Sequence, residues 1–232
     1  MSRPPSPAAA DPAAHGPVRS FKRRASRVTS SQRAALDRHW PSLGMVVDGA
    51  PLELTDLFGR VAPVVLEIGF GMGEATAAMA AAQPAFDVLA VDVHTPGQGN
   101  LLRLLVDAGL TNLRVVDGDA TVLLRESLPP ASLSVVRAFF PDPWPKARHV
   151  KRRLVDAAFA ALAADRLVDG GLLHVATDMP AYADQVADVL AREPLLEPVD
   201  APWRAQTRFE RRGAAAGRPA HDLAARRVSR TP

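Results

Sequence analysis

Val64-Val65-Leu66-Glu67-Ile68, followed at once by Gly69-Phe70-Gly71-Met72-Gly73-Glu74, is the stretch on which the fold turns. A short apolar run that ends in glycines reads as a buried parallel strand. The glycines let the backbone turn sharply and pass close to a ligand. Glu74–Ala82 is Ala-rich and reads as a helix, ended by Pro84. Outward from this unit the alternation continues. Asp87–Val91 predicts a second strand, Asn100–Ala108 a helix stopped by Gly109, and Leu113–Val116 a third strand. Leu133–Phe140 predicts a fourth strand, Val150–Leu167 a long helix stopped by Gly170-Gly171, Leu172–Ala176 a fifth strand, and Ala181–Ala191 a further helix. Strands alternating with helices predict an α/β fold, a mostly parallel central sheet with helices on both faces. After Glu193 strands are only weakly marked.

In such sheets ligands lie beyond the C-terminal ends of the strands. Acids stand there repeatedly: Glu67 at the end of the first strand, Asp92 after the second, Asp119 after the third, Asp142 after the fourth and Asp178 after the fifth. The loop with Gly69 and Gly71 resembles a dinucleotide fingerprint, but its third glycine position holds Glu74. A carboxylate at a helix N-terminus opposes a pyrophosphate. S-adenosylmethionine has no phosphate and carries an ammonium and a sulfonium, so acids around the loop suit it. Asp92 is placed to accept the ribose hydroxyls and Asp119 to meet the adenine amino group. Taken singly, each acid also reads as a turn residue or a helix cap.

Phe139-Phe140-Pro141-Asp142-Pro143-Trp144-Pro145-Lys146 leaves the fourth strand with three prolines in five positions. They fix the backbone and hold Asp142 at the sheet edge. Trp144 reads either as a stacking platform for a base or as a seal for the loop. Methyltransferases acting on exocyclic amines carry Asp/Asn-Pro-Pro-aromatic there, so Asp-Pro-Trp argues against an amine target. The basic run Arg148, His149, Lys151, Arg152, Arg153 follows, at the start of the expected long helix. Cations are unfavourable at a helix N-terminus, which favours a phosphate-gripping role. Asp178 reads as a guanine acceptor or as the N-cap of the next helix. Thr207-Arg208-Phe209-Glu210-Arg211-Arg212-Gly213 alternates charge and aromatic, as an edge strand or a substrate loop would.

The charge pattern points the same way. The net charge is only +3, yet residues 1–38, 146–153 and 203–232 hold 21 of the 28 basic residues. The remainder carries 7 bases against 21 acids. An acidic body with basic patches suits a polyanion laid across chosen surfaces, although solvated basic tails give the same count. Three regions emerge: a Pro/Ala-rich tail over 1–17 that reads as disordered, a basic arm over 18–41 with Phe21 and Trp40 as docking points, and a domain over 42–232. No apolar run reaches the roughly 18 residues of a membrane span, and no secretory signal is evident. The chain has no cysteine, which excludes disulfides and thiol chemistry and fits a cytoplasmic protein. No metal is expected.

These stretches resemble the bacterial tRNA (guanine-N7)-methyltransferases. RSFKRRASRVTSSQ, LEIGFGMGEAT, VDVHTPGQGNLL, FFPDPWPKARHVKRRLV, HVATDMPAYADQV and TRFERRG carry the likeness, from about Val18 to Gly213. FPDPWPK with HVKRRLV, and TRFERRG, are its most specific parts. The resemblance implies a Rossmann-like class I methyltransferase fold that moves a methyl group from S-adenosylmethionine to N7 of a tRNA guanine, the variable-loop guanosine. It implies that Glu67, Asp92, Asp119 and Asp142 contact the cofactor, with Asp142 catalytic. It implies further that Lys146, Asp178 and Thr207, Arg208, Phe209 and Glu210 bind the substrate, and that the segment from Arg148 to Arg153 contacts RNA. The family usually has Glu where this chain has Asp92, and more polar or basic residues at Pro145 and Ala147. The expected partner is tRNA, the expected state a monomer or homodimer.

N7 of guanine is a lone-pair nucleophile with no proton to remove, so no strong general base is required. The alternatives are an RNA methyltransferase of other base specificity and an RNA-binding protein with a vestigial cofactor pocket.

Overall fold

The computed structural model describes residues 20–21 and 27–229. The expected tail over 1–17, with residues 18–19 and 22–26 of the basic arm, lies outside the described residues. In chain order the elements are α1 (Ser30–Leu43), β1 (Gly44–Val46), α2 (Leu54–Phe58), β2 (Val64–Ile68), α3 (Glu74–Ala82), β3 (Asp87–Asp92), α4 (Thr95–Asp107) and β4 (Leu113–Asp117). A short α5 (Ala120–Val122) runs into a π-turn (Leu123–Ser127) before β5 (Leu133–Phe139). A 3-10 turn (Ala147–Arg152), α6 (Ala157–Arg166), β6 (Leu167–Thr177), α7 (Pro180–Arg192), β7 (Leu196–Val199), α8 (Arg208–Ala215) and β8 (His221–Arg227) complete it.

The strands form one sheet in the order β1-β4-β3-β2-β5-β6-β8-β7. Neighbours from β1 to β6 pair in parallel; β8 is antiparallel to both β6 and β7. Alternation along β2 separates two layers. Val64 and Leu66 pack with Phe159, Ala160, Tyr182 and Val186 of α6 and α7. Val65 packs with Leu101, Leu102 and Leu105 of α4, and with Ala35 and Leu36 of α1. Covering on both faces is why these strands read as continuous apolar runs. The strand order reverses between β2 and β5, which opens a crevice beyond their C-terminal ends.

The structure departs from the sequence pattern in three places. The basic arm does not stop at residue 41: Ser30–Leu43 is a helix packed against α4. Thr29 caps it through a capping box with Gln32, and Trp40 joins the α4 layer. The single long helix over Val150–Leu167 is instead a 3-10 turn and a separate α6, which Asp156 starts by accepting the Phe159 N–H at 2.9 Å. Leu167 already belongs to β6, drawn there by pairing with Leu133 of β5. The stretch from Thr207 to Gly213 is neither edge strand nor loop. Thr207 is the N-cap of α8, again with a capping box, here closed by Glu210.

Candidate active site

The crevice at the strand reversal holds a cavity of about 540 Å³. Its wall brings together every residue expected at the cofactor: Glu67, Gly69, Gly71, Asp92, Asp119 and Asp142. Thr207, Arg208 and Phe209 of the expected substrate set line it as well, with Arg212, while Lys146, Asp178 and Glu210 lie outside the lining. Ser20 and Phe21 also reach it, so the arm's Phe21 is placed at the site itself.

The glycine loop is held from three sides. Gly69, Gly71 and Gly73 all have positive φ, which side-chain-bearing residues rarely adopt. Asp92 accepts the Gly71 N–H at 2.8 Å and the His94 N–H at 3.0 Å. Asn100 donates to the Met72 carbonyl at 2.6 Å. Gly97 packs so closely that an added Cβ would stand 1.7 Å from the Gly71 carbonyl oxygen. Gln98 donates to the Asp92 carbonyl at 2.8 Å and to Asp117 at 3.0 Å, tying the ends of β3 and β4 together. Burial pushes the Asp92 carboxyl above the ordinary aspartate range, against the pull of its two amide donors.

Glu67 is buried and held from behind. Thr76 donates to Oε1 at 2.6 Å and Arg137 Nε to Oε2 at 2.8 Å. Glu67 and Arg137 are register partners on β2 and β5, two charges facing each other within apolar strands. A lone Glu and a lone Arg in two buried runs are the sequence signal for Arg137. Asp119 does what either reading of it allows: it lines the cavity and caps α5, accepting from Thr121 N at 2.9 Å and Thr121 Oγ1 at 2.7 Å.

The turn after β5 carries Asp142 between Pro141 and Pro143. Phe140 (φ 55°) and Trp144 (φ 43°) bracket it in left-handed conformations. Such strain persists where surrounding structure imposes it, and it concentrates at functional sites. Trp144 works as a seal. Its Nε1–H donates to the Ser20 carbonyl at 2.9 Å, the Arg152 guanidinium lies 4.0 Å from the ring centroid, and His149 meets the ring edge-on.

The basic run sits on the 3-10 turn ahead of α6, so the helix-dipole argument for it does not apply. Lys146, Arg148 and Lys151 are exposed. Loss of hydration, with the nearby Arg148, Arg152 and Lys146, holds the His149 ring below the ordinary histidine pKa. Arg153 is the exception to the expected RNA contacts. It is buried, donates to the Pro143 carbonyl at 2.9 Å and to Gln185 Oε1 at 2.6 Å, and lies over the Tyr182 ring. It is a strut between the Asp142 turn and α7 rather than a phosphate ligand. Asp178 is not the N-cap of α7, a place taken by Met179; it receives Arg218 Nε at 2.8 Å.

At the far side of the cavity Phe209 of α8 meets Phe140, ring centroids 5.3 Å apart. Glu210 turns away from the cavity to Arg204, which also binds Asp222 of β8. Nothing local in the sequence marks Arg204 or Asp222, because their partners come together only through the antiparallel end of the sheet.

A family described as "Putative methyltransferase" matches residues 61–223. A tRNA (guanine-N(7)-)-methyltransferase of Streptomyces avermitilis is 56% identical over 219 residues, covering 91% of this chain and 76% of the relative. One of Nitrosospira multiformis is 47% identical, covering 90% and 94%. The chain belongs to the tRNA (guanine-N7-)-methyltransferase family. Among solved structures this family member shares its fold with the 16S rRNA methyltransferase KamB, at TM-score 0.57 and 17% identity, covering 76% of this chain and 93% of that one. It shares it also with TrmN of Thermus thermophilus, at TM-score 0.54 and 19% identity, covering 85% and 48%. The Rossmann-like class I methyltransferase fold expected for the family is the fold observed. Among the described residues no helix is long and apolar enough to cross a membrane.

Proposed function

We propose that this methyltransferase transfers the methyl group of S-adenosylmethionine to N7 of a guanine in tRNA, the variable-loop guanosine, in the cytoplasm. The observation that carries the reading is a single cavity in which the strand-end acids and the glycine loop face the Asp142 turn and the start of α8. The chain's own residues fit the cofactor. Asp92 puts a carboxylate on the cavity wall where ribose hydroxyls can donate to it, Gly69 and Gly71 bring backbone without Cβ to the same wall, and Glu74 in the first turn of α3 disfavours a pyrophosphate. The cavity volume falls within the roughly 300–1,000 Å³ of small-molecule sites.

S-adenosylmethionine, when bound, supplies an electrophilic methyl group on a sulfonium. The protein's task is then orientation. N7 needs no deprotonation, so Asp142 serves to align the guanine and to offset the positive charge that grows on it. Asp178 with Thr207, Arg208 and Phe209 holds the base, Glu210 fixes the first turn of α8 behind them, and Lys146 with Arg148 and Lys151 holds the backbone near the Asp142 turn.

The test is nucleoside analysis by mass spectrometry after incubating the purified protein with S-adenosylmethionine and unmodified tRNA. 7-Methylguanosine is the expected product; a different methylated nucleoside sinks the N7 assignment, and none at all sinks the tRNA reading. The RNA-contact assignment is checked separately. Arg148→Ala with Lys151→Ala should flatten the plot of log affinity against log salt, by about one unit for each phosphate no longer neutralised. An unchanged slope removes these two side chains from the interface.

A further inference from the structure

Arg204 lies in the irregular segment before α8, and its side chain is 6% exposed. Its guanidinium donates to both oxygens of Glu210, at 2.6 and 3.1 Å, and to both oxygens of Asp222, at 2.6 and 2.9 Å. It also stands 5.2 Å from the Phe139 ring centroid and 5.4 Å from that of Phe140. One buried planar cation thus grips two carboxylates in two forks while resting on two rings, which an ammonium does not reproduce.

Each contact leads to a different part of the site. Glu210 closes the capping box of Thr207, whose hydroxyl accepts the Glu210 N–H at 3.0 Å. That box fixes the first turn of α8, with Thr207 and Phe209 on the cavity. Asp222, on β8, is anchored to His174 of β6 at 2.9 Å. Burial would raise the Asp222 carboxyl, but His174 and Arg204 outweigh it and hold it at about 2. Phe139 and Phe140 lead directly into Asp142. The left-handed backbone of Phe140 needs a surrounding that imposes it, and Arg204 over its ring supplies one.

We propose that Arg204 is a positioning residue for methyl transfer, locking the start of α8 against the Phe140–Asp142 turn so that the target base is held between them. The inference rests on the guanine-N7 reading above. Arg204 touches neither substrate nor cofactor; it acts through Glu210 and Phe140. A role in stability alone would lower the melting midpoint and leave kcat per folded molecule intact. A positioning role lowers kcat in folded protein.

Two variants of the full chain separate these. Arg204→Lys keeps the charge and loses both forks; Asp222→Asn keeps the shape and weakens one fork. Steady-state kinetics with unmodified tRNA are run beside S-adenosylhomocysteine calorimetry and thermal melting. Arg204→Lys is expected to lose about a hundredfold in kcat, the scale of a 1 Å misplacement, with KM for tRNA and S-adenosylhomocysteine affinity retained. Asp222→Asn should lose less in the same pattern. Unchanged kcat overturns the proposal, as does a kcat loss matched by the loss of folded protein or of cofactor affinity. If Arg204→Lys does not fold, Asp222→Asn decides by the same criteria. Wild-type protein that forms no 7-methylguanosine refutes the guanine-N7 reading. Wild-type protein that forms it beside a fully active Arg204→Lys refutes the positioning role alone.

Discussion

Asp142→Asn is expected to cut kcat for 7-methylguanosine formation by about 10²–10³, or roughly 3–4 kcal/mol of transition-state stabilisation, while tRNA affinity stays unchanged. Asparagine keeps the shape of the side chain and removes its charge. The charge matters only as the methyl–N7 bond forms and guanine turns cationic, so its loss is felt in the transition state and not in the ground state. On the proposed reading, affinity for tRNA rests mainly on phosphate contacts made elsewhere, by exposed cations such as Arg148 and Lys151. Asp142 is also held where a small shift is resisted, between two prolines and two left-handed residues, so the variant keeps its backbone. Single-turnover rates beside a filter-binding titration check the separation. Equal losses in rate and affinity would mean that Asp142 merely binds.

Gly97→Ala is expected to weaken S-adenosylhomocysteine binding roughly 5–150-fold, or to lower folding stability by about 1–3 kcal/mol, or to divide that cost between them. The new methyl carbon would stand 1.7 Å from the Gly71 carbonyl oxygen and 2.9 Å from its carbon. Those are backbone atoms, which have no rotamer to yield. Either α4 lifts off the layer it shares with α1, or the glycine loop moves toward the cavity. Calorimetry gives the first cost and thermal melting the second. If both stay at wild-type values, the close packing of Gly97 on the loop does not set the site.

What the sequence makes legible is local. The β2 strand, its glycine turn and the acids after each parallel strand are signalled within a few residues by apolar runs and turn chemistry. The cavity then gathers Glu67, Asp92, Asp119 and Asp142 because a parallel sheet puts all its strand ends on one side. Two capping boxes are legible in principle, Thr29 with Gln32 and Thr207 with Glu210, both spaced Thr-x-x-Gln/Glu. They are hidden by surrounding charge that reads as arm or loop. The Val150–Leu167 pattern misleads because its apolar period runs on past Arg166, and only pairing with β5 turns Leu167 into strand. Arg153 reads as an RNA contact by its company; its burial follows from α7, through Ala181 and Gln185, 28 and 32 positions later. Arg137 and Glu67 meet across 70 positions, and Arg204 meets Asp222 through a strand pairing that no local pattern announces.

The position of β8 bears on how the protein is made. It is the last of the described strands in sequence, yet it is hydrogen-bonded on both sides, by β6 and by β7. A chain emerging from the ribosome therefore carries an open edge on β6, and β7 has no neighbour, until His221–Arg227 arrives. During that interval Arg204 lacks Asp222 and holds the start of α8 through Glu210 alone. Open strand edges invite pairing with other chains, so this window is when the protein is most prone to aggregate. On the reading proposed above, a nascent chain halted before residue 221 has the cavity-lining residues but not the Asp222 anchor of Arg204, so the lock on the start of α8 closes only with the last described strand.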